Sequence, residues 1–323
     1  MYSKYQTEVA TLHPDNSLEN SIKTSFRQLS EFRKLEAVDG NYSTSYKNAA
    51  KTVCLWLRTA LPSTSGLQYM SFTANPILPQ CLEMIDIKED PSLVAEAGSL
   101  AGILTGDYIP YPARHINPMI SQIEKICTQS TAWRHRYTVL GILQIFFYRH
   151  LFIFSRDDIE RLTAVVVLLL ADERSDVRTG ASNTLTGFIQ CSGTPGQITK
   201  LAEKFQAQLK EAPRSRSKLP SSEREAIPST VSPTPTHKRH SAVLGLCSLI
   251  RAFPYGRPPR WMPTIIAFLS REASGDPGII GTTVRDTLGA FKKTRTDTWR
   301  YDQTMFNEDE LELLEGSGPS YLA

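Results

Sequence analysis

The chain has 323 residues, 41% of them hydrophobic and 21% charged, with a formal net charge of +3. This suits a folded protein rather than a disordered one, and so small a charge excess gives no reason to expect a polyanionic partner. Five widely spaced cysteines (Cys54, Cys81, Cys127, Cys191 and Cys247) with no CxxC pair argue against a disulfide framework and predict reduced, buried thiols in an intracellular protein. The polar N-terminus carries no secretory pattern, and the longest apolar run, Ala164 to Ala171, is too short to cross a bilayer and predicts a buried helix.

Along the chain, apolar residues recur at helical spacing and no alternating strand pattern stands out. Leu18, Ile22, Phe26, Leu29 and Phe32 predict a first amphipathic helix, and Val53, Leu57 and Leu61, with Trp56 beside them, a second. Asp90-Pro91-Ser92 reads as a stop-and-start turn ahead of a stripe of Leu93, Ala97, Leu100, Ala101 and Leu104. Trp133 to His150 is a long, very apolar helix whose periodic positions include Tyr137, Leu140, Ile145 and Tyr148. An acidic turn, Asp172-Glu173, precedes Asp176-Val177-Arg178 and a stripe of Val177, Ala181, Leu185, Phe188 and Ile189. Further stripes follow at Ala242, Val243, Leu246, Leu249, Ile250 and Phe253, and at Val284, Leu288 and Phe291. Small residues (Ala97-Gly98, Gly141, Gly180-Ala181, Gly245, Gly289-Ala290) are expected where helices approach closely, since glycine costs about 1 kcal/mol against alanine within a helix.

Ala97, Leu140, Asn183, Gly245 and Leu288, taken as midpoints of successive inner helices, are about 43, 43, 62 and 43 residues apart. A period of about 40–47 belongs to HEAT or armadillo helix pairs. Setting aside about 20 residues in the long interval restores the period, and the Pro-, Ser- and Arg-rich stretch there has no apolar periodicity. The expected fold is therefore all-α, a HEAT/armadillo-like α-solenoid of stacked helical hairpins, with residues 1–131 and 132–210 as repeats, 211–236 as a disordered basic insert and 237–323 as a C-terminal domain.

No catalytic constellation emerges: GxxxxGK[ST], GxGxxG after a strand, and HExxH are all missing. A non-enzymatic role without cofactor or metal is expected. His237-Lys238-Arg239-His240 predicts a solvated basic helix start rather than a metal site, and Cys191 a structural thiol rather than a nucleophile. Arg214-Ser215-Arg216-Ser217-Lys218 reads as a solvated loop, with nuclear import as the alternative; without interleaved aromatics, direct nucleic-acid binding is not expected. At the far end, an acidic helix (Asn307 to Glu315), a Gly316-Ser317-Gly318-Pro319 tether and Tyr321-Leu322-Ala323 make a docking tail: the leash gives reach, the side chains fill a pocket, and a carboxylate supplies a fixed charge.

Several blocks carry a resemblance: Trp133 to Phe154, Asp172 to Cys191, Lys238 to Cys247, Pro254-Tyr255, Trp261-Met262-Pro263, Phe291-Lys292-Lys293-Thr294, Asp297-Thr298-Trp299 and Phe306 to Leu314. Together they resemble the large single-chain proteasome activators. The resemblance implies a HEAT-like solenoid docking on the α-ring of the 20S core proteasome through its tail, and ATP-independent gate opening. It further implies work in nucleus and cytoplasm, including DNA repair and turnover of acetylated histones. Tyr321 takes the first tail slot of that family and Ala323 the last; Leu322 stands where a tyrosine is usual, which keeps apolar filling and removes a hydroxyl. Ser192 and Gly193 follow Gln190-Cys191 where acetyl-lysine-reading members carry Asn-Phe, so that pocket is expected to be weakened. A generic HEAT-repeat interaction scaffold is the alternative reading.

Overall fold

The computed structural model describes residues 16–35, 44–60, 72–104, 113–213 and 234–316. Among them are fourteen α-helices and no β-strand, as the periodicity predicts. The helices fall into two compact units, Met1–Leu162 and Thr163–Ala323.

The first unit holds α1 (Asn16–Leu35), α2 (Thr44–Ala60), α3 (Leu78–Ile85), α4 (Pro91–Gly102), α5 (Ala113–Gln129) and α6 (Trp133–His150), and α7 (Arg156–Leu169) spans the boundary. Within it α4 packs on α2 and α3, and α5 on α6. Asp90 caps α4 by accepting from Leu93 N (3.1 Å), with Pro91 at the first helical position, where its missing N–H leaves no hydrogen bond broken. All five residues of the α4 stripe are buried.

The stripe expected on α6 is corrected. Tyr137, Ile145 and Tyr148 are exposed, and the buried face is Arg136, Val139, Leu140, Ile142, Leu143, Phe146, Phe147 and His150. This helix is apolar nearly all round, so spacing alone could not choose a face. Arg136 is buried because its guanidinium donates from Nη1 to the Ser130 and Thr131 carbonyls (2.8 and 3.5 Å) of the preceding turn.

The second unit holds α8 (Ser175–Ser192), α9 (Pro195–Glu211), α10 (Pro235–Arg251), α11 (Met262–Ala273), α12 (Ile279–Thr294), the short α13 (Trp299–Asp302) and α14 (Glu308–Gly316). Helix α10 contacts α8, α9, α11 and α12, and every residue from Arg239 to Ile250 is buried. Its serines face neighbours that satisfy them, as buried hydroxyls require. Ser248 pairs with Ser182 of α8 at 2.7 Å, and Ser241 accepts from Gln208 Nε2 of α9 at 2.6 Å.

Of the helical glycines, Gly245 does lie at a close approach: a Cβ there would stand 2.5 Å from Cε2 of Phe205. Gly98, Gly141 and Gly289 face open space, which corrects their expected role. Gly245→Ala is expected to destabilise the second unit, because overpacking costs about 1–3 kcal/mol and outweighs the roughly 1 kcal/mol of helix propensity regained. A urea midpoint at or above that of the parent chain would contradict this packing.

Candidate functional site

The sequence places its docking element at Tyr321, Leu322 and Ala323, which lie outside the described residues. What the structure describes is the module that precedes them, up to Gly316. Helix α14 begins with a reciprocal capping box: Asn307 Oδ1 accepts from Glu310 N (2.8 Å), and Glu310 Oε2 accepts from Asn307 N (3.1 Å). The acidic first turn of Glu308, Asp309 and Glu310 suits the positive end of the helix dipole. Glu310 Oε1 also accepts from the Thr264 hydroxyl of α11 (3.2 Å), and Leu314 is fully buried. Just upstream, buried Phe306 packs on Phe291 and Trp299, with ring centroids 6.2 and 5.9 Å away. The segment after Gly316 therefore departs from a fixed base.

That base is tied together by two buried arginines. Arg239, the fifth residue of α10, is 2% exposed. Its Nε donates to Asp276 Oδ2 at 2.5 Å and its Nη2 to Oδ1 at 3.2 Å. Its Nη1 also donates to the Leu209 and Ala212 carbonyls (2.9 and 3.0 Å) at the end of α9, and its Nη2 to the Glu272 carbonyl of α11 (2.6 Å). One guanidinium thus joins α9, α10, α11 and the turn before α12. Arg295, just after α12, is 1% exposed and plays the same part for the loop after α10. It donates to the Phe253 and Gly256 carbonyls (2.7 and 2.5 Å) and to Asp302 Oδ2 (3.2 Å), and lies 4.8 Å over the Phe291 ring.

The expected solvated start at His237-Lys238-Arg239-His240 is corrected for two of its members, since His240 is as buried as Arg239. Arg178 Nε donates to His240 Nδ1 at 3.2 Å, and His240 Nε2 lies 3.3 Å from the Thr283 hydroxyl. Burial first, and Arg178 second, push the imidazole down to about 4. Arg178 itself donates from Nη1 to the Asp172 and Glu173 carbonyls (2.7 and 3.0 Å). Arg136 of the first unit makes the equivalent pair of contacts, to the Ser130 and Thr131 carbonyls.

Ser192 ends α8 and donates its hydroxyl to the Phe188 carbonyl (2.9 Å); Gly193 is the C-cap, its N–H donating to the Ile189 carbonyl (2.9 Å). A Cβ on Gly193 would stand 2.5 Å from that same carbonyl oxygen, so the spot is closed against its own helix.

Cys54, Cys81, Cys127 and Cys247 are buried, and burial pushes Cys54 up to about 12 and Cys247 to about 11, which makes them inert as nucleophiles. Cys191 is exposed, against expectation. Among the described residues no three His, Cys, Asp or Glu side chains gather as metal ligands, and no helix is long and apolar enough to cross a membrane.

Sequence reasoning missed Arg295 and the Arg239–Asp276 clamp. Arg136 and Arg178 did leave a signal: each is the fourth residue of its helix, and Arg239 is the fifth of α10.

Residues 236–323 match the family described as "Proteasome activator complex subunit 4-like, C-terminal". Over 275 residues the chain is 31% identical to "Proteasome activator complex subunit 4" of Homo sapiens, covering 82% of this chain and 14% of that protein. It is 32% identical over 279 residues to "Proteasome activator complex subunit 4A" of Danio rerio, with the same two shares. To "Proteasome activator BLM10" of Saccharomyces cerevisiae it is 26% identical over 279 residues, 84% of this chain and 12% of that one.

Proposed function

We propose that this chain, which belongs through residues 236–323 to the proteasome activator complex subunit 4-like family, acts as a non-enzymatic activator that docks on the α-ring of the 20S core proteasome. Tyr321, Leu322 and Ala323 are the docking element, and the result is ATP-independent gate opening and peptide hydrolysis. The supporting observation is that the family match runs through Ala323 over the clamped module that ends in α14. An anchored base limits how much order the tail must gain on binding. Relatives named as proteasome activators are its similar proteins, of which the chain spans 12–14%.

Activation here is a matter of binding. A tail shifts the gate only by the difference between its affinities for the closed and open rings. Leu322 fills apolar space as tyrosine would but offers no hydroxyl, so it is expected to hold the tail in place while favouring the open state less. A HEAT-like solenoid, and residence in nucleus and cytoplasm with roles in DNA repair, belong to the same reading. Recognition of acetylated histones at Ser192 and Gly193 is not carried over, because the serine hydroxyl is engaged and the glycine is folded against Ile189.

Deleting Tyr321 to Ala323 is expected to abolish co-sedimentation with purified core proteasome and its stimulated hydrolysis of a fluorogenic peptide. Binding and stimulation both unchanged would refute the docking role; binding kept along the helical body would favour a general scaffold. Leu322→Tyr is expected to raise stimulation up to about tenfold, the range of one hydrogen bond worth about 0.5–1.5 kcal/mol, with little change in the amount bound.

A further inference from the structure

Between the loop after α10 and α13 lies a cavity of about 400 Å³, lined by Gly256, Arg257, Thr298, Tyr301, Asp302 and Thr304. Its size is within the range of about 300–1,000 Å³ common for binding pockets. Around Asp302 the polar side chains can accept hydrogen bonds but have no free proton to offer; the donors of the lining are Arg257 and the Tyr301 hydroxyl. The Thr298 hydroxyl donates to Asp302 Oδ2 (2.7 Å) and the Thr304 hydroxyl to the Tyr301 carbonyl (2.7 Å), leaving lone pairs on both oxygens. Asp302 is 4% exposed, and its Oδ2 is held by Arg295 and Thr298. The hydrogen bonds it accepts from described residues both fall on Oδ2, which leaves Oδ1 without a described donor. Tyr301, 73% exposed, supplies an aromatic wall. Arg257 turns its Nε onto Met305 Sδ (3.0 Å) and makes no ion pair among the described residues.

We infer that this cavity takes a lysine ammonium from a peptide segment of a partner protein, with a neighbouring acidic residue of that segment on Arg257. An ammonium has three donors and no acceptor, and here it meets Asp302 Oδ1 and two threonine oxygens. The exposed face of Tyr301 attracts the same cation. A carboxylate or phosphate would face only lone pairs around Asp302. A lone amine would be repelled by Arg257, which the adjoining carboxylate neutralises; the pair of charges in sequence sets the specificity. This inference stands apart from tail docking, since none of its residues belongs to the tail.

The test is titration of the whole chain with an acetylated, amidated Gly-Lys-Glu-Gly peptide, followed by amide resonances and calorimetry. The peptide is expected to shift the Tyr301 and Thr304 amides. Replacing its lysine by norleucine should weaken binding about tenfold or more, as expected on losing a charge-assisted contact. Tyr301→Leu should weaken binding without lowering thermal stability, because the ring is exposed. Arg257→Gln should weaken binding of the Lys-Glu peptide and spare a Lys-Gly one. Equal binding of the norleucine peptide, no shift at millimolar peptide, or a stronger response of the same amides to a single-stranded oligonucleotide would each overturn the inference.

Discussion

Arg239→Ala is expected to destabilise the second unit by about 3–5 kcal/mol, the cost of removing one partner from a buried ion pair. The substitution leaves the Asp276 carboxylate, 6% exposed, without its bidentate partner. It also takes the guanidinium donor from the Leu209, Ala212 and Glu272 carbonyls. Lysine is no substitute at this site, since a point-like ammonium cannot serve a carboxylate and three carbonyls in one plane. Replacing the pair together by Met and Leu of similar bulk should cost much less, because the uncompensated charge disappears with its partner. Urea denaturation read by amide exchange in α10 tests this within the unit itself, where a single global midpoint need not apply. A loss below about 1 kcal/mol for Arg239→Ala, the scale of an exposed ion pair, would remove the clamp from the account.

Acidification should destabilise the second unit between about pH 6.5 and 4, through His240. His240 is held neutral between Arg178 and Thr283, and its folded value of about 4 lies below the ordinary 6.5 of histidine. Between those values the unfolded chain binds the proton and the folded chain does not, so stability rises with pH across that window. It is fully present above about pH 6.5 and is lost as pH falls toward 4, by roughly 3 kcal/mol in total. His237, also lowered chiefly by burial and then by Arg178, acts in the same direction. Asp172, Asp176 and Glu173, the acids acting on this cluster, relieve part of the repulsion. Urea midpoints at pH 7.5 and 4.5 should differ strongly in the parent chain and much less in His240→Gln, whose amide carries no titrating proton. An equal drop in both chains would place the acid sensitivity elsewhere.

Local patterns in the sequence carried well where a helix has one buried side. The stripes of α4, α8 and α12 are all buried as spaced, and in α1 Ile22, Phe26 and Leu29 are, whereas Phe32 is exposed. Pro91 after Asp90 and the acidic closing helix start where their residues predict, since caps and turns depend on neighbours a few positions away. In α6 the same method chose the wrong face. An apolar helix offers several candidate stripes, and which of them is covered depends on what packs against it.

The candidate site divides along the same line. Tyr321, Leu322 and Ala323, which the resemblance singles out, lie outside the described residues, so the structure speaks only of the helices before them. The matrix that holds those helices was not legible in the chain. Arg239, His240 and Arg295 look like surface residues in sequence, because their partners (Asp276, Arg178, Phe253) lie dozens of positions away. By itself the sequence determined that this is a helical protein and where several of its helices begin, because those properties follow from side-chain periodicity and local backbone chemistry. Only the tertiary structure decided that α10 is enclosed on all sides, that Gly245 rather than Gly98 or Gly141 must stay small, and that Arg136, Arg178, Arg239 and Arg295 are interior. Burial of a charge depends on acceptors arriving together in space, and separation along the chain says nothing of that.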